Sequence, residues 1–358
     1  MTSTSGGPSP TSASIERPTP AGGVGASSSR RSRARLGRLV GLAVFLVLAA
    51  LPIFLAPYPI SLAGRILAFA LLVVSVDVLA GLTGLPSLGQ IAYFGVGAYT
   101  GGLVAIHASD NAFVQLGAGV LVAALVAAVT GAVAVRASGI VFLMVTLAIG
   151  ELTHKLADGL DAVGASNGLA GIPPITLYPG GEPLVLAGVT YWWVLLVFLI
   201  GFGVAATVSR SPLGRSMRGV REAEPRLAAI GQLSYATKLA AYVIAGAIAG
   251  AAGTAWTVQT RFISPGDLAF SVSAIALLSV VLGGAGTLWG PVIGAAVVVL
   301  IRDWVSGYVS GHGELLLGLL FIVAVYALPN GLAGVASGRL RRRRAAMAGA
   351  PVAGEGQP

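Results

Sequence analysis

Long runs of apolar residues, each about the length of a membrane-spanning helix, dominate this sequence of 358 residues. A helix needs about 20 predominantly apolar residues to cross the hydrocarbon core of a bilayer. Only 10% of the residues are charged, whereas a soluble domain usually carries about 25%. So few charges cannot cover a water-facing surface. The composition therefore argues against a soluble enzyme, a disordered protein and a nucleic-acid-binding domain, and it favours a polytopic membrane protein.

Ten segments have roughly this length, and they predict an all-α fold with about ten transmembrane helices. The segments are 39–57, 60–82, 87–107, 113–135, 139–158, 190–208, 235–257, 268–283, 286–304 and 313–328. The third segment begins in a glycine-rich stretch, which leaves open whether its helix is continuous or broken. Non-helical backbone at membrane depth is tolerated only inside protein or against a water-filled cavity.

Arginine clusters give the expected orientation of these spans. Five arginines lie in each of three clusters, at 30–38, 210–226 and 339–344. Ten spans place all three clusters on one side, and positive charge collects in cytoplasmic loops. We therefore expect both termini in the cytoplasm. The expected regions are a disordered basic tail at 1–38, a transmembrane domain at 39–335 with a cytoplasmic loop at 209–234, and a basic tail at 336–358.

Common catalytic motifs are absent from the sequence. A nucleotide-binding P-loop contains Gly-Lys-Ser/Thr, but the only lysines, Lys155 and Lys238, follow His154 and Thr237. Zinc hydrolases use His-Glu-x-x-His, and the three histidines are scattered. The chain has 0 cysteines, so it has no thiolate metal site. We expect no catalytic residue, no metal site and no nucleic-acid partner.

The loop 209–234 carries the most informative pattern. Pro212 suits the start of a helix and Gly231 its end. Between them the sequence predicts a short amphipathic helix with the apolar anchors Met217, Val220, Leu227 and Ile230. From the residues alone, an arginine-rich loop with no partner explains the segment equally well, because positive charge is common in cytoplasmic loops.

Several stretches together resemble the permease subunits of branched-chain amino-acid ABC transporters. The loop contributes Ser211–Arg215 (SPLGR), Arg221–Glu224 (REAE) and Ala229–Gly231 (AIG), which are similar to the Glu-Ala-Ala coupling loop of ABC importer permeases. The other stretches are Gly81–Gly89 (GLTGLPSLG) with Phe94–Thr100 (FGVGAYT), Val145–Glu151 (VTLAIGE), Phe262–Pro265 (FISP), Val281–Pro291 (VLGGAGTLWGP) and Leu328–Leu332 (LPNGL). Thr146, Glu151 and the long 159–189 loop resemble the second, M-type permease of the pair.

The resemblance implies a heteromeric importer in the plasma membrane of a bacterium. Two homologous permeases form the pathway through the lipid bilayer, two ATP-binding cassette subunits bind the cytoplasmic loops, and an extracytoplasmic binding protein delivers the substrate. ATP and magnesium belong to the ATPase subunits, so this chain itself holds no cofactor. The implied ATPase-coupling residues are Arg215, Arg218, Arg221, Glu222, Glu224 and Gly231.

Departures from the family pattern leave the substrate open. The departures are Gln90 in place of a frequent His, Asp77 in place of Asn, Pro225 within the coupling helix, and Ala165 in a glycine-rich stretch. Related permeases serve urea and short amides, so these compounds are alternatives to leucine, isoleucine and valine. A stand-alone transporter driven by an ion gradient is the alternative from another class, and it would need Asp77 and Glu151 as proton carriers.

Residues at membrane depth are the candidates for the translocation pathway and for a helix break. Glu151 lies about 18 Å along its span, where an ionised side chain usually faces a bundle interior or a cavity. An ion pair with Lys155 at the outer interface is the alternative. Asp77 would either accept hydrogen bonds from the backbone of the turn at 81–89 or reach the cytoplasmic interface. The full candidate set is Asp77, Gly84, Ser87, Gln90, Glu151 and Asn167.

Overall fold

The computed structural model describes residues 56–177, 186–229 and 231–308, with isolated positions at 48, 50–52 and 318. These residues form nine α-helices and two isolated β-bridges, with no strand among them. The helices are α1 (Pro57–Asp77), α2 (Gln90–His107), α3 (Ala112–Ala134), α4 (Gly139–Gly159), α5 (Ala187–Arg210), α6 (Pro212–Ala229), α7 (Ser234–Thr260), α8 (Phe270–Gly283) and α9 (Trp289–Tyr308). A π-helical segment, Val78–Thr83, continues α1.

Eight of the ten predicted spans coincide with helices, to within a few residues at each end. Five described helices are long and apolar enough to cross a membrane, namely Pro57–Thr83, Ala112–Ala134, Gly139–Gly159, Gly188–Arg210 and Ser234–Thr260. The predicted spans 39–57 and 313–328 lie almost wholly outside the described residues, as do both tails. The count of ten spans and the cytoplasmic position of the termini therefore stay predictions.

The centre of the bundle is formed by α1 and α7. The most apolar part of Pro57–Thr83 is 89% buried, against 22% for Gly139–Gly159. Around α7 pack α1, α2 and α3. In contrast, α3 and α4 expose long apolar side chains, including Leu121, Val129 and Met144. Apolar residues on every side of a helix are typical of a membrane span.

Close contact between α2 and α7 depends on glycines. A side chain on Gly97 would collide with the backbone of Gly250, and one on Gly253 would collide with the carbonyl group of Phe94. At this contact the Thr254 hydroxyl donates a hydrogen bond to the Gly97 carbonyl, at 3.1 Å. Small residues allow helix backbones to approach each other in a bilayer. These glycines therefore serve packing within the chain.

Residues 160–177 form a cap over one end of the bundle. Leu169 and Ile263 exchange two backbone hydrogen bonds of 2.8 and 3.2 Å, and Thr176 makes two more with the turn between α2 and α3. Two side chains of this segment, Ile172 and Ile175, are buried. Because α7 begins just after α6 and ends just before Ile263, the cap and α6 lie at opposite ends of the bundle.

We expect Gly97→Val to destabilise the bundle, because a Cβ atom at this position has no space against α7. Overpacking a well-packed interior costs about 1–3 kcal/mol. Gly117→Val is the matched control, since a Cβ atom at Gly117 meets nothing within 4 Å. Thermal unfolding of the two purified variants measures the difference. Equal melting temperatures would contradict a tight contact between α2 and α7.

Candidate functional site

The chain leaves its helical path between Gly84 and the start of α2. Gly84 adopts a left-handed conformation with φ 71° and ends the π-helical segment. Residues 85–88 then follow without helical structure. Two hydroxyls replace the lost helical hydrogen bonds at Leu88: Thr146 of α4 accepts from its N–H at 3.3 Å, and Ser273 of α8 donates to its carbonyl at 2.8 Å. The break therefore precedes α2, which is itself continuous.

The break lies deep inside the bundle. Thr146 is seven residues from the start of α4, or about 10 Å, and Ser87 and Leu88 of the break are buried. At such depth backbone polar groups need partners within the protein, because the bilayer core offers no water. Sequence reasoning did not single out Ser273. Its span contains three serines, at positions 271, 273 and 279, and nothing in the sequence distinguishes the second of them.

Gln90 begins α2 with a side-chain amide that lacks a hydrogen-bond partner. The residue is 1% exposed, and neither its Nε2 nor its Oε1 atom has a partner among the described residues. Together with Ser87 and Ser273 it lines a narrow space that has no room for a water molecule. The N-terminus of α2 has no side-chain cap, so its first N–H groups add donors nearby. Polar groups that can still donate or accept hydrogen bonds therefore lie close together at the break.

Asp77 joins the two glycine-rich turns of the chain. Its carboxylate is buried at the end of α1 and accepts hydrogen bonds from the N–H groups of Gly286, at 2.6 Å, and Leu288, at 3.3 Å. Both sequence expectations for Asp77 were wrong, because the donors belong neither to its own turn nor to an interface. They belong to the turn between α8 and α9, where Gly286 has φ 84° and the N–H groups face α1.

Arg221 connects α6 to the same place. Its guanidinium donates a hydrogen bond to the Gly81 carbonyl, and a Cβ atom on Gly84 would lie 2.9 Å from its side chain. Gly81 in turn lies directly against the backbone of Gly286. We call Asp77, Gly81, Arg221 and Gly286 the latch. Through the latch, one arginine of α6 contacts the end of α1, the start of the break and the turn that Asp77 holds.

The amphipathic character predicted for α6 is confirmed. Its anchors Met217, Val220 and Leu227 are buried, whereas Ile230 lies outside the described residues. The helix is interrupted at Ala223, where φ is −163° and ψ is 85°. This interruption lies two residues before Pro225, the residue that departs from the family pattern. Gly231 follows with φ 79°, a conformation that suits the end of a helix.

Some of the predicted coupling residues hold α6 to its own chain. Arg218 donates to the Ser209 carbonyl at 2.8 Å, and Glu224 forms an ion pair with Lys238 of α7 at 2.6 Å. The hydrogen bond from Lys238 lowers the pKa of Glu224. A lowered carboxyl pKa stabilises the fold above the ordinary value of about 4.3, and this stabilisation is lost only as the pH falls through the lowered value. The pair is therefore intact at neutral pH.

Other charged residues of α6 are directed to solvent. Arg215 and Glu222 are exposed, and neither forms an ion pair within the described part of the chain. Arg226 has the same exposure, although sequence reasoning did not include it among the coupling residues. The accessible surface of α6 therefore carries Arg215, Glu222 and Arg226, together with Arg221, which is exposed although its guanidinium reaches the Gly81 carbonyl.

The two remaining candidates lie in different places. Glu151 is half-buried and follows Gly150, where a Cβ atom would lie 3.5 Å from the Leu88 carbonyl. It therefore lies close to the depth of the break. Among the described residues no ion pair joins it to Lys155, which was the alternative expectation. Asn167 is exposed on the cap and does not belong to the buried cluster.

We expect Glu224→Ala to destabilise the fold, because it leaves the Lys238 ammonium only 6% exposed and without its partner. Breaking a buried ion pair costs about 3–5 kcal/mol, but the Glu224 side chain is 39% exposed, so a loss of about 1–2 kcal/mol is expected. Adding Lys238→Met removes the uncompensated charge and should recover most of the loss. Melting temperatures of the purified proteins test this, and a double variant as unstable as the single one would contradict it.

A family model for the permease component of branched-chain amino acid transport systems matches residues 58–325. The chain belongs to this family. Family membership and the apolar helices make it a multi-pass membrane protein of the permease class, as the composition and motifs predicted. No solved structure matches the chain.

The chain is similar to three proteins named LivM. The high-affinity branched-chain amino acid transport system permease protein LivM of Escherichia coli is 28% identical over 331 residues, which cover 86% of this chain and 78% of that protein. The protein of the same name from Salmonella typhimurium is 27% identical, over 82% of this chain and 74% of its own length. A probable LivM of Methanocaldococcus jannaschii is 25% identical, over 67% and 77% of the two chains. These names agree with the M-type resemblance.

Proposed function

We propose that the chain is the membrane-spanning permease subunit of an ABC importer for leucine, isoleucine, valine or close analogues. The observation that carries this proposal is the latch, in which Arg221 of α6 donates to the Gly81 carbonyl beside the helix break. A permease without its own ATPase needs a mechanical connection between a cytoplasmic motor and its pathway. The latch supplies such a connection within one chain.

The exposed side of α6 is the docking site for an ATPase subunit. Arg215, Glu222 and Arg226 present charges of both signs there, which suits a partner surface of mixed charge. The opposite side is held by buried apolar anchors and by the Glu224–Lys238 pair. Movement of the docked ATPase therefore moves α6 as a body, and Arg221 transmits the displacement to the latch.

The break at 84–89 is the element that responds to this displacement. Its backbone is held by two side-chain hydrogen bonds at Leu88, rather than by a continuous helical ladder. Such a segment changes conformation at lower cost than an intact helix. Gln90, Ser87 and Glu151 lie at or beside the break, and they are the residues of this chain that we assign to the translocation pathway.

The complete importer contains a second permease subunit, two ATP-binding cassette subunits and an extracytoplasmic binding protein, in the plasma membrane of a bacterium. Both termini of this chain then lie in the cytoplasm. The structure gives less support to a stand-alone, proton-driven transporter. Asp77, which would have to carry protons, already accepts two backbone hydrogen bonds at the latch and therefore has a structural role.

We expect Arg221→Ala to abolish leucine uptake while the ATPase subunits still bind, because this change cuts the latch but keeps Arg215, Glu222 and Arg226 on the exposed surface of α6. Arg215→Ala and Glu222→Ala together should instead weaken ATPase binding. Co-purification of the ATPases and ATP-dependent uptake in proteoliposomes separate the two effects. If Arg221→Ala leaves uptake intact, or if deletion of residues 215–230 leaves the ATPases bound, the coupling assignment is wrong.

We expect Gln90→Leu to reduce uptake and, at the same time, to raise the melting temperature. The change removes two buried polar atoms without partners, and leaving such a group unsatisfied costs about 1–3 kcal/mol. Gln115→Leu is the control, because Gln115 is equally buried but donates to the Ser109 carbonyl at 3.2 Å, so its loss should lower the melting temperature. A Gln90→Leu protein with full uptake would remove Gln90 from the pathway.

A further inference from the structure

A larger cavity lies between α1, α2, α7, α8 and α9, on the side of the break that faces the cap. Its volume is about 380 Å³, within the range of about 300–1,000 Å³ that is usual for small-molecule sites. Phe94, which lines this cavity, is four residues further along α2 than Gln90, or about 6 Å. The outer cavity, as we call it, is therefore stacked one helical turn from the narrow space at Gln90.

Charges of both signs line the outer cavity, namely Arg65, Arg302, Asp267 and Asp303. Asp267 already accepts hydrogen bonds from the N–H and the hydroxyl of Ser264. Arg65 of α1 and Asp303 of α9 face each other, with 3.6 Å between nitrogen and oxygen. This separation exceeds the length of about 2.7–2.9 Å that is typical of charge-assisted hydrogen bonds. Both side chains are partly exposed, and Asp303 also accepts from the Tyr58 hydroxyl at 2.8 Å. Because both side chains are partly exposed, a ligand that carries both charges can reach them.

The rest of the lining is apolar. Phe69, Phe94 and Trp256 contribute aromatic rings, and Val272, Ile275 and Val298 contribute branched aliphatic side chains. Phe94 and Trp256 pack edge to face, with their ring centroids 6.2 Å apart. Phe69, Phe94 and Val298 are almost fully buried. A ligand with a branched hydrocarbon group can bury it against these side chains at about 25 cal/mol per Å² of apolar surface.

We propose that the outer cavity binds a zwitterionic aliphatic α-amino acid. The amino acid's carboxylate lies against Arg65, its ammonium lies against Asp303, and its side chain lies against the aromatic rings. The zwitterion offers one opposite charge to each member of the Arg65–Asp303 pair and brings no net charge into the cavity. An anion or a cation of similar shape satisfies only one of them, and urea lacks the hydrocarbon group.

This inference rests on the proposed function and adds substrate selection by the permease itself. An amino acid released at the cap end meets the outer cavity before it reaches the break. From there, the distance to the amide of Gln90 and the N-terminus of α2 is about one helical turn. The arrangement favours amino acids over urea and short amides as the transported class.

The first test measures binding of radiolabelled leucine to the assembled permease–ATPase complex in nanodiscs, without the binding protein. Val299→Trp fills the outer cavity, which Val299 lines. Leu300→Trp is the matched control, because it brings the same side chain to the next position of α9, where Leu300 is 47% exposed and outside the lining. We expect the dissociation constant to rise at least tenfold for Val299→Trp and to be unchanged for Leu300→Trp. Equal effects of the two variants would overturn the proposal.

The second test varies the charges of the ligand. Valine and isoleucine should displace leucine, whereas 4-methylpentanoate, 3-methylbutylamine and urea should not, because each lacks a part of the zwitterion or its hydrocarbon group. The double variant Arg65→Gln/Asp303→Asn should weaken leucine binding at least tenfold while its melting temperature stays close to that of the parent. Displacement by 4-methylpentanoate as efficient as by valine would contradict the assignment of the ammonium to Asp303.

A zwitterionic phospholipid headgroup presents the same pair of charges, so the lipid is varied as well. Leucine should bind with the same affinity in phosphatidylglycerol and in phosphatidylethanolamine nanodiscs. Binding that disappears in phosphatidylethanolamine would make the outer cavity a lipid site and overturn the proposal. ATP-dependent leucine uptake by the parent complex, measured with the binding protein, is the separate test of the proposed function. Uptake without direct leucine binding would overturn the outer cavity alone, whereas absence of uptake would overturn the proposed function.

Discussion

Backbone groups that leave a helix inside a bilayer must find their hydrogen-bond partners within the protein, because the hydrocarbon core contains no water. Among the described residues, two such interruptions lie in neighbouring places, at 84–89 and at 284–288. Thr146 and Ser273 satisfy Leu88 in the first interruption, and Asp77 satisfies the second. Because these side chains come from α4, α8 and α1, the hydrogen bonds that repair the backbone also fix the relative positions of these helices.

The same requirement for hydrogen-bond partners explains why α6 contacts this part of the fold. The Gly81 carbonyl lies in the π-helical segment just before the first interruption, and Arg221 donates to it from outside the bundle. Glycines at 81, 84 and 286 leave room for the guanidinium and for close backbone contact. In the proposed importer, an ATPase that pulls on α6 would act where the helices are already interrupted, and it would not need to bend an intact helix.

The sequence predicted well the features that depend on local composition. Apolar length determines where helices form, so eight predicted spans coincide with helices, and the apolar spacing in α6 identified its buried side. Contacts between distant parts of the chain were not predictable in the same way. The donors to Asp77 lie 209 and 211 residues away, and the charge pattern of α6 did not reveal that Glu224 pairs with Lys238. Ser273 was missed because it is one of three serines in its helix, and each of them resembles a small packing residue.

Gln90 shows why a permease keeps an unfavourable group at its centre. Packing of α2 against α7 holds the first turn of α2 in place, so the Gln90 amide cannot move to solvent and stays buried without a partner. If position 90 served only the stability of the fold, a leucine there would make the protein more stable than the glutamine does. In the proposed pathway, a passing substrate with donors and acceptors of its own would satisfy the amide only while it is bound. The penalty in the empty state would then favour the occupied state, because a bound substrate relieves it. In the proposal such a substrate arrives from the outer cavity, one turn away.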